Sequence, residues 1–413
     1  MRQLFRLLVL LPAFGLVPCL LPAHARVGTD TTMELDGVTL SLSRDEMAAL
    51  TDLANRLQGP PGFQDRALTI ARQKAQGRDA RYVLAIYELE IGRQRKDDAL
   101  RAEALDALIA TGRAPPDRLA SYLEMRGGIA FQQRDYVRAG MLWSRELQLK
   151  PSDPNTMANL AQVRQAQGDA AGAADLLRRS AAARAAAGQK PTEILSRQML
   201  TAAYNAHLTK PTVDAALALV AAYPSADNWR LSLLAYRQLT APTGEFEIDL
   251  LRLMRAAGSL TKPEEYQRLA QLLEHSGRPT EGKAVLAEGI ARQLLDAGQS
   301  PTREILTELD RLIPQERARP VRADLAAADS LVALGRHAEA ITLYRALLAK
   351  PGVDAAQVNV HLGMALLAAG RQAEAESSFR SAAAVAGPEA RYADLASFWQ
   401  ARLTSPAAAT VRR

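Results

Sequence analysis

The sequence predicts an all-α fold, a right-handed α-solenoid of antiparallel helix pairs. Two observations carry this: a phrase that recurs at a period of about 34 residues, and an alanine-rich composition with only 5% aromatic residues. The phrase reads QQRDYVRAGMLWSRELQLKP at 132–151 and QAQGDAAGAADLLRRSAAA at 165–183, with Asp135 matched by Asp169. It returns as HSGRPTEGKAVLAEGI (275–290), ALGRHAEAITLYRALLAKP (333–351) and AAGRQAEAESSFRSAAAVAGP (368–388). Length points the same way. A chain of 413 residues exceeds the ~250–300 at which a single core stops growing, whereas a repeat array buries each apolar face on its neighbours.

The residues at fixed places in the phrase have separate physical tasks. Ala139, Ala173, Gly282, Ala340 and Ala375 are small, as needed where two helix backbones approach. Gly168, Gly277, Gly335 and Gly370 fall in the turn between paired helices, where a positive φ costs glycine little. Trp143, Leu177, Leu286, Tyr344 and Phe379 are the large knobs between neighbouring pairs. Pro151 and Pro388 end second helices. This set of positions resembles the tetratricopeptide repeat (TPR) family, which implies a TPR-like superhelix and a role in binding proteins. Three further stretches, NWRLSLLAYRQL (228–239), EIDLLRLMRAAGSL (247–260) and YADLASFWQARL (392–403), resemble exported TPR proteins of Gram-negative bacteria, alphaproteobacteria in particular. That resemblance implies an envelope location and a scaffold role.

Along the chain, residues 1–25 read as a cleavable signal peptide. Arg2 and Arg6 form the basic start, an apolar stretch follows, and Ala23 and Ala25 are the small residues before the cut. An uncleaved anchor is the competing reading, because residues 4–21 approach spanning length; Pro12, Pro18 and the small-x-small site favour cleavage. Lipidation of Cys19 would want a small residue where Pro18 stands. Cleavage removes this sole cysteine, and with it disulfide and thiolate chemistry. Residues 26–43 are expected to be an irregular arm, with strand-like alternation at Val38, Leu40 and Leu42 that allows an edge strand. A first helix to about Leu57 begins with a capping box of Ser43 and Glu46. Helices are expected at about 63–76, 79–92, 97–111 and 116–132, then in the repeats 120–153, 154–187, 263–296, 321–354 and 356–388. An extra helix of about 302–313 lies between Pro301 and Pro314, and a capping helix covers 389–403. The expected organisation is an N-terminal helical block, 44–258, a C-terminal block, 259–403, with a loose boundary near 259–263, and a disordered tail, 404–413.

Charge and motifs narrow the function. Lys and Arg number 51 against 45 Asp and Glu, and removing Arg2 and Arg6 leaves 49 against 45, spread along the chain. No clustered basic face with interleaved aromatics indicates nucleic acid. Stable membrane insertion after cleavage is not expected either, since no second apolar run nears spanning length. His207, His275, His337 and His361 are far apart, none lies in H-E-x-x-H, and each reads as structural. No nucleophile elbow or Walker loop occurs, so no catalytic residue, metal or cofactor is expected.

The candidate site is instead a partner-binding face. In TPR arrays the first helices of the pairs line the concave side. The resemblance places there Asn155, Asn159, Gln162 and Gln165, then Glu264, Arg268 and Gln271, and finally Gln357 and His361. The amides at i, i+4, i+7 and i+10 share one helix face and can bond an extended backbone from either side. A merely solvated polar face is the competing reading. TPR proteins that bind acidic chaperone tails carry a Lys–Asn–Arg clamp; Asn159 matches one clamp position, but Glu124 and Gly128 stand where Lys and Asn would be. The expected function is an exported, non-enzymatic scaffold for protein partners in the periplasm, with identity of partner and oligomeric state open. Alternatives are a subunit of an envelope polysaccharide-export or secretion assembly, and a glycan-active enzyme with paired carboxylates.

Overall fold

Twenty helices and one hairpin make up the described residues of the computed structural model, which are 32–35, 37–318, 324–385 and 391–404. The expected signal peptide lies outside them, as does the expected tail after Thr404. The fold class is all-α, built from consecutive helix pairs joined by short turns. Two compact units divide the chain, residues 1–167 and 168–413.

The first unit opens with β1 (Thr32–Leu35) and β2 (Val38–Ser41), paired antiparallel with Met33 opposite Leu40. The arm is thus a hairpin rather than irregular, because Leu40 and Leu42 are buried against the first helices. Helices α1 (Arg44–Arg56), α2 (Pro61–Lys74), α3 (Arg78–Arg95) and α4 (Asp98–Thr111) follow. They lead to α5 (Pro116–Gln132), α6 (Tyr136–Leu149) and α7 (Pro154–Ala166). The predicted capping box is present: the Glu46 amide donates to Ser43 Oγ at 3.3 Å, and the Ser43 amide to Glu46 Oε2 at 2.9 Å. Glu46 also accepts from the Gly77 amide at 2.7 Å, tying the start of α1 to that of α3.

The second unit begins with α8 (Ala170–Ala186), α9 (Glu193–Asn205), α10 (Thr209–Ala222) and α11 (Ala226–Thr240). It continues through α12 (Gly244–Ala256), α13 (Pro263–His275), α14 (Pro279–Ala291) and α15 (Thr302–Ala318). The last helices are α16 (Leu325–Ala333), α17 (His337–Leu348), α18 (Ala355–Ala368), α19 (Gln372–Ala383) and α20 (Arg391–Thr404). The loose boundary expected near 259–263 falls inside this unit, where Ser259 and Leu260 are buried. Pro314 was expected to end the inserted helix, yet α15 continues past it to Ala318. The last turn is held by tertiary contact, since buried Glu316 accepts from the Thr280 amide at 3.0 Å, at the start of α14.

Repeat positions behave as their residue types require. All five knobs are buried, and two close over a glycine of the preceding helix. A Cβ on Gly127 would stand 2.4 Å from the Trp143 indole nitrogen, and one on Gly363 would stand 2.5 Å from the Phe379 ring. Gly168 and Gly370 turn with φ of +84° and +76°; Arg134 takes the same place in the first clear repeat at +62° without being glycine. The next residue shows a contrast. Asp135 and Asp169 cap α6 and α8 with their side chains, whereas Arg278, Arg336 and Arg371 occupy that place at α14, α17 and α19.

Helix α20 does more than cap the array. It packs on α18 and α19 and also reaches back to α10 and α12. Phe379 and Trp399 stack with ring centres 5.5 Å apart. Phe398 meets Trp229 and Tyr236, and the Tyr236 hydroxyl donates to the Arg391 carbonyl at 3.1 Å. The stretches 228–239, 247–260 and 392–403, singled out in the sequence, therefore share one core. Helix α12 lies within it, buried around nearly its whole circumference.

Candidate functional site

An apolar helix that carries Asp249 and Arg252 must find partners for both, because an unpaired buried charge costs several kcal/mol. The partners come from five other helices. His361, on α18, donates from Nε2 to Asp249 Oδ2 at 2.9 Å and from Nδ1 to Asp329 Oδ1, on α16, at 2.7 Å. With a carboxylate on each ring nitrogen, both nitrogens act as donors and the ring is an imidazolium. Arg252 Nη1 donates to Asp249 Oδ1 at 2.9 Å, and its Nε and Nη2 clamp Glu281, on α14, at 2.8 and 2.5 Å. Arg278 reaches in from the cap of α14, to Asp329 at 2.5 Å and to both oxygens of Glu245 at 2.6 Å. Tyr344 of α17 donates to Asp329, and Tyr392 of α20 donates to Asp249 at 3.2 Å.

Arg278 departs from its repeat. Arg336 and Arg371, its equivalents, pair with the glutamates three residues on, Glu339 and Glu374. Arg278 and Glu281 separate instead, each taking a partner on α12. Electrostatics follow from this enclosure. Burial would push the His361 pKa down, but Asp249 and Asp329 outweigh it and carry it up to about 10. Burial opposes ionisation of Asp329 and Asp249 as well, yet His361 and the arginines hold both below the usual carboxylate range. Burial and the adjacent aspartates raise Tyr344 and Tyr392, so both stay neutral donors.

This arrangement can brace helices, and its chemistry is otherwise spent. Glu245, Asp249 and His361 bring ligand atoms within 4.8 Å of one another, a spacing that would suit a metal. Here Nε2 is already committed to Asp249, and Glu245 is clamped by Arg278, so the donor set is taken. The Asp249–Asp329 pair is the kind of paired carboxylate a glycan-active enzyme would need. Both are buried and bridged by an imidazolium, which leaves no opening for a sugar.

The expected partner-binding residues fall in separate places. On α7, in the first unit, Asn155 is exposed, and Asn159, Gln162 and Gln165 are half-buried on the face opposite Met157 and Leu160. In the second unit Glu264, Arg268 and Gln271 lie on α13, which packs on α12, α14 and α15. Arg268 is turned to Glu247 of α12, to which it donates at 2.7 and 3.1 Å. Gln357 is half-buried on α18. His361 must be removed from this face: it is 1% exposed and points into the ionic cluster, because Asp249 and Asp329 can be ionised there only with its charge between them. The cluster itself was missed by sequence reasoning. A readable signal did exist, in acidic and basic residues three apart within the otherwise apolar run FEIDLLRLM.

No described helix is long and apolar enough to cross a membrane. No family model matches the chain, and no curated protein does. Among solved structures, the TPR domain of P58(IPK) is similar at 12% identity, over 87% of this chain and 98% of that one, with a TM-score of 0.26. A structure of Naa15/Naa10 bound to HypK-THB is similar at 13% identity, over 84% of this chain and 58% of that one, with a TM-score of 0.29. The helix pairs and repeat positions described above make the chain an all-α solenoid.

Proposed function

We propose that the chain is exported to the periplasm or cell envelope and serves there as a non-enzymatic scaffold that holds protein partners. The observation that carries this reading is the contrast between α7 and the ionic cluster. In the cluster the carboxylates and the imidazolium are paired with one another. On α7, Asn159, Gln162 and Gln165 share one face, and their side chains take no hydrogen-bond partner among the described residues. Amides can donate to and accept from the backbone of an extended segment laid across them. The basic start, apolar stretch and small-x-small site of residues 1–25 support export.

The test is in vivo crosslinking followed by affinity capture from the envelope fraction, comparing the native chain with the variant Asn155→Ala, Asn159→Ala, Gln162→Ala. Loss of a reproducible partner with thermal stability kept is the expected result. Capture that survives the triple substitution would remove this face from consideration. N-terminal sequencing of the purified protein should begin at Arg26; a retained Met1 in the cytosolic fraction would sink the export reading.

A further inference from the structure

Glu146 is out of place by the logic of its own repeat. It follows the small packing residue Ala139 by seven positions, where the other repeats have Ser180, Gly289, Leu347 and Ala382. All five positions are buried, Glu146 to 2% exposure, and it alone carries charge. Its Oε2 meets no hydrogen-bond partner. The Thr156 hydroxyl beside it already donates to Asp153 Oδ2 at 2.6 Å. The charged groups acting on Glu146 are Glu124 from α5, Asp153 at the cap of α7, and Lys150 at the end of its own helix. Three carboxylates thus share one lysine. Burial first, then Glu124 and Asp153, carry the Glu146 pKa up to about 7, and burial followed by Asp153 raises that of Glu124. Glu124 and Asp153 are only half-buried, so the cluster reaches solvent, and Asp153 caps α7, the helix that carries Asn155 and Asn159.

We infer that the joint of α5, α6 and α7 receives a cationic side chain, a lysine or arginine of a protein partner, with Glu124 and Asp153 as its rim and Glu146 as the charge beneath. The inference rests on the reading of α7 as a partner-binding face and adds the partner's chemistry. Excess acid with too few cations, close to low-dielectric protein, attracts positive charge more strongly than the same acids in water. An arriving cation also favours the ionised form of Glu146, so binding releases a proton and tightens as pH rises.

The experiment is calorimetric titration of the full chain with tetralysine amide, with its fully acetylated form as the neutral control. The native chain should bind tetralysine and ignore the acetylated probe. Affinity should rise about fivefold between about pH 6 and about pH 8, the part of the full, roughly tenfold change from a one-unit fall in a linked pKa that lies in that range. Glu146→Gln keeps the shape of the protonated carboxyl, so it should fold and lose that pH dependence; Glu124→Gln should weaken binding about fivefold. Absence of binding, or equal affinity and equal pH dependence in all three proteins, would overturn the inference. Failure of the scaffold reading is separable. A partner lost in the α7 triple-alanine variant but held equally by Glu124→Gln and Glu146→Gln overturns the cation site and leaves the scaffold standing.

Discussion

Asp249 and Asp329 in the second unit and Glu146 in the first are carboxylates buried among helices, yet the first two are ringed by cations and the third by further acids. Each site solves a desolvation problem, and the solutions have opposite signs. Around His361, charge is neutralised by charge, so ionisation is favoured and the helices that supply the partners are bound together. Around Glu146 burial comes first and two acids, Glu124 and Asp153, outnumber Lys150, so ionisation is opposed and the group remains ready to respond. A buried ionic cluster that is complete braces the fold; an incomplete one is where a ligand's charge would be felt.

The largest test of this contrast is His361→Leu. It leaves Asp249 and Asp329 facing each other without the charge between them, and removing one partner of a buried ionic set costs about 3–5 kcal/mol. Because the chain has two units, the loss should be read from a probe confined to the second, and Trp229 and Trp399 provide it in a Trp143→Phe background. The pH dependence has a definite sign. The folded pKa of His361 lies above its free value, so its contribution is complete below about pH 6.5 and fades as pH rises through about 10. The aspartates are depressed, so theirs is present above about pH 4 and lost as pH falls. The native second unit should therefore lose stability from neutral to alkaline pH, and His361→Leu should flatten that decline. A loss below about 1 kcal/mol would mean the cluster does not brace the unit.

Ala340→Leu supplies the reference for a purely steric insult in the same unit. Ala340 is fully buried where α17 approaches its neighbours, and overpacking there should cost about 1–3 kcal/mol. Followed by the same fluorescence, that cost should stay constant across the pH range in which the His361→Leu effect changes. A pH-dependent cost would show that the two perturbations are not separable.

Much of this was readable in the sequence because it repeats. Ala139, Ala173, Ala340 and Ala375, with their knobs, recur at one period, and every one is buried as the period requires. The turn glycines and the Ser43 capping box depend on neighbours within a few residues, so local patterns suffice. His361 illustrates the limit. Its place in the repeat assigned it to the partner-binding face, while its partners lie 112 and 32 residues away on helices that no periodicity connects. Arg278 was hidden for a related reason, since Arg336 and Arg371 at the same repeat position pair locally. Glu146 could have been found by aligning the repeats one helical turn further, where a lone acid stands among Ser180, Gly289, Leu347 and Ala382.

The subtlest test lies at that residue, and its sign should be reversed. The folded pKa of Glu146 is raised above its free value of 4.5, so the fold favours the protonated carboxyl. The corresponding stability is complete below about pH 4.5 and is lost as pH rises through about 7. Glu146→Gln keeps the neutral shape at every pH. It should therefore leave the first unit unchanged near about pH 4 and stabilise it by up to about 3 kcal/mol near about pH 9. Trp143, on the same helix, reports the transition directly, and a Trp229→Phe, Trp399→Phe background isolates it. A substitution that destabilises at both pH values would mean that Glu146 makes a favourable ionic contact, and the contrast with His361 would collapse. A gain confined to alkaline pH would establish that the first unit carries an acid whose charge the fold alone does not compensate.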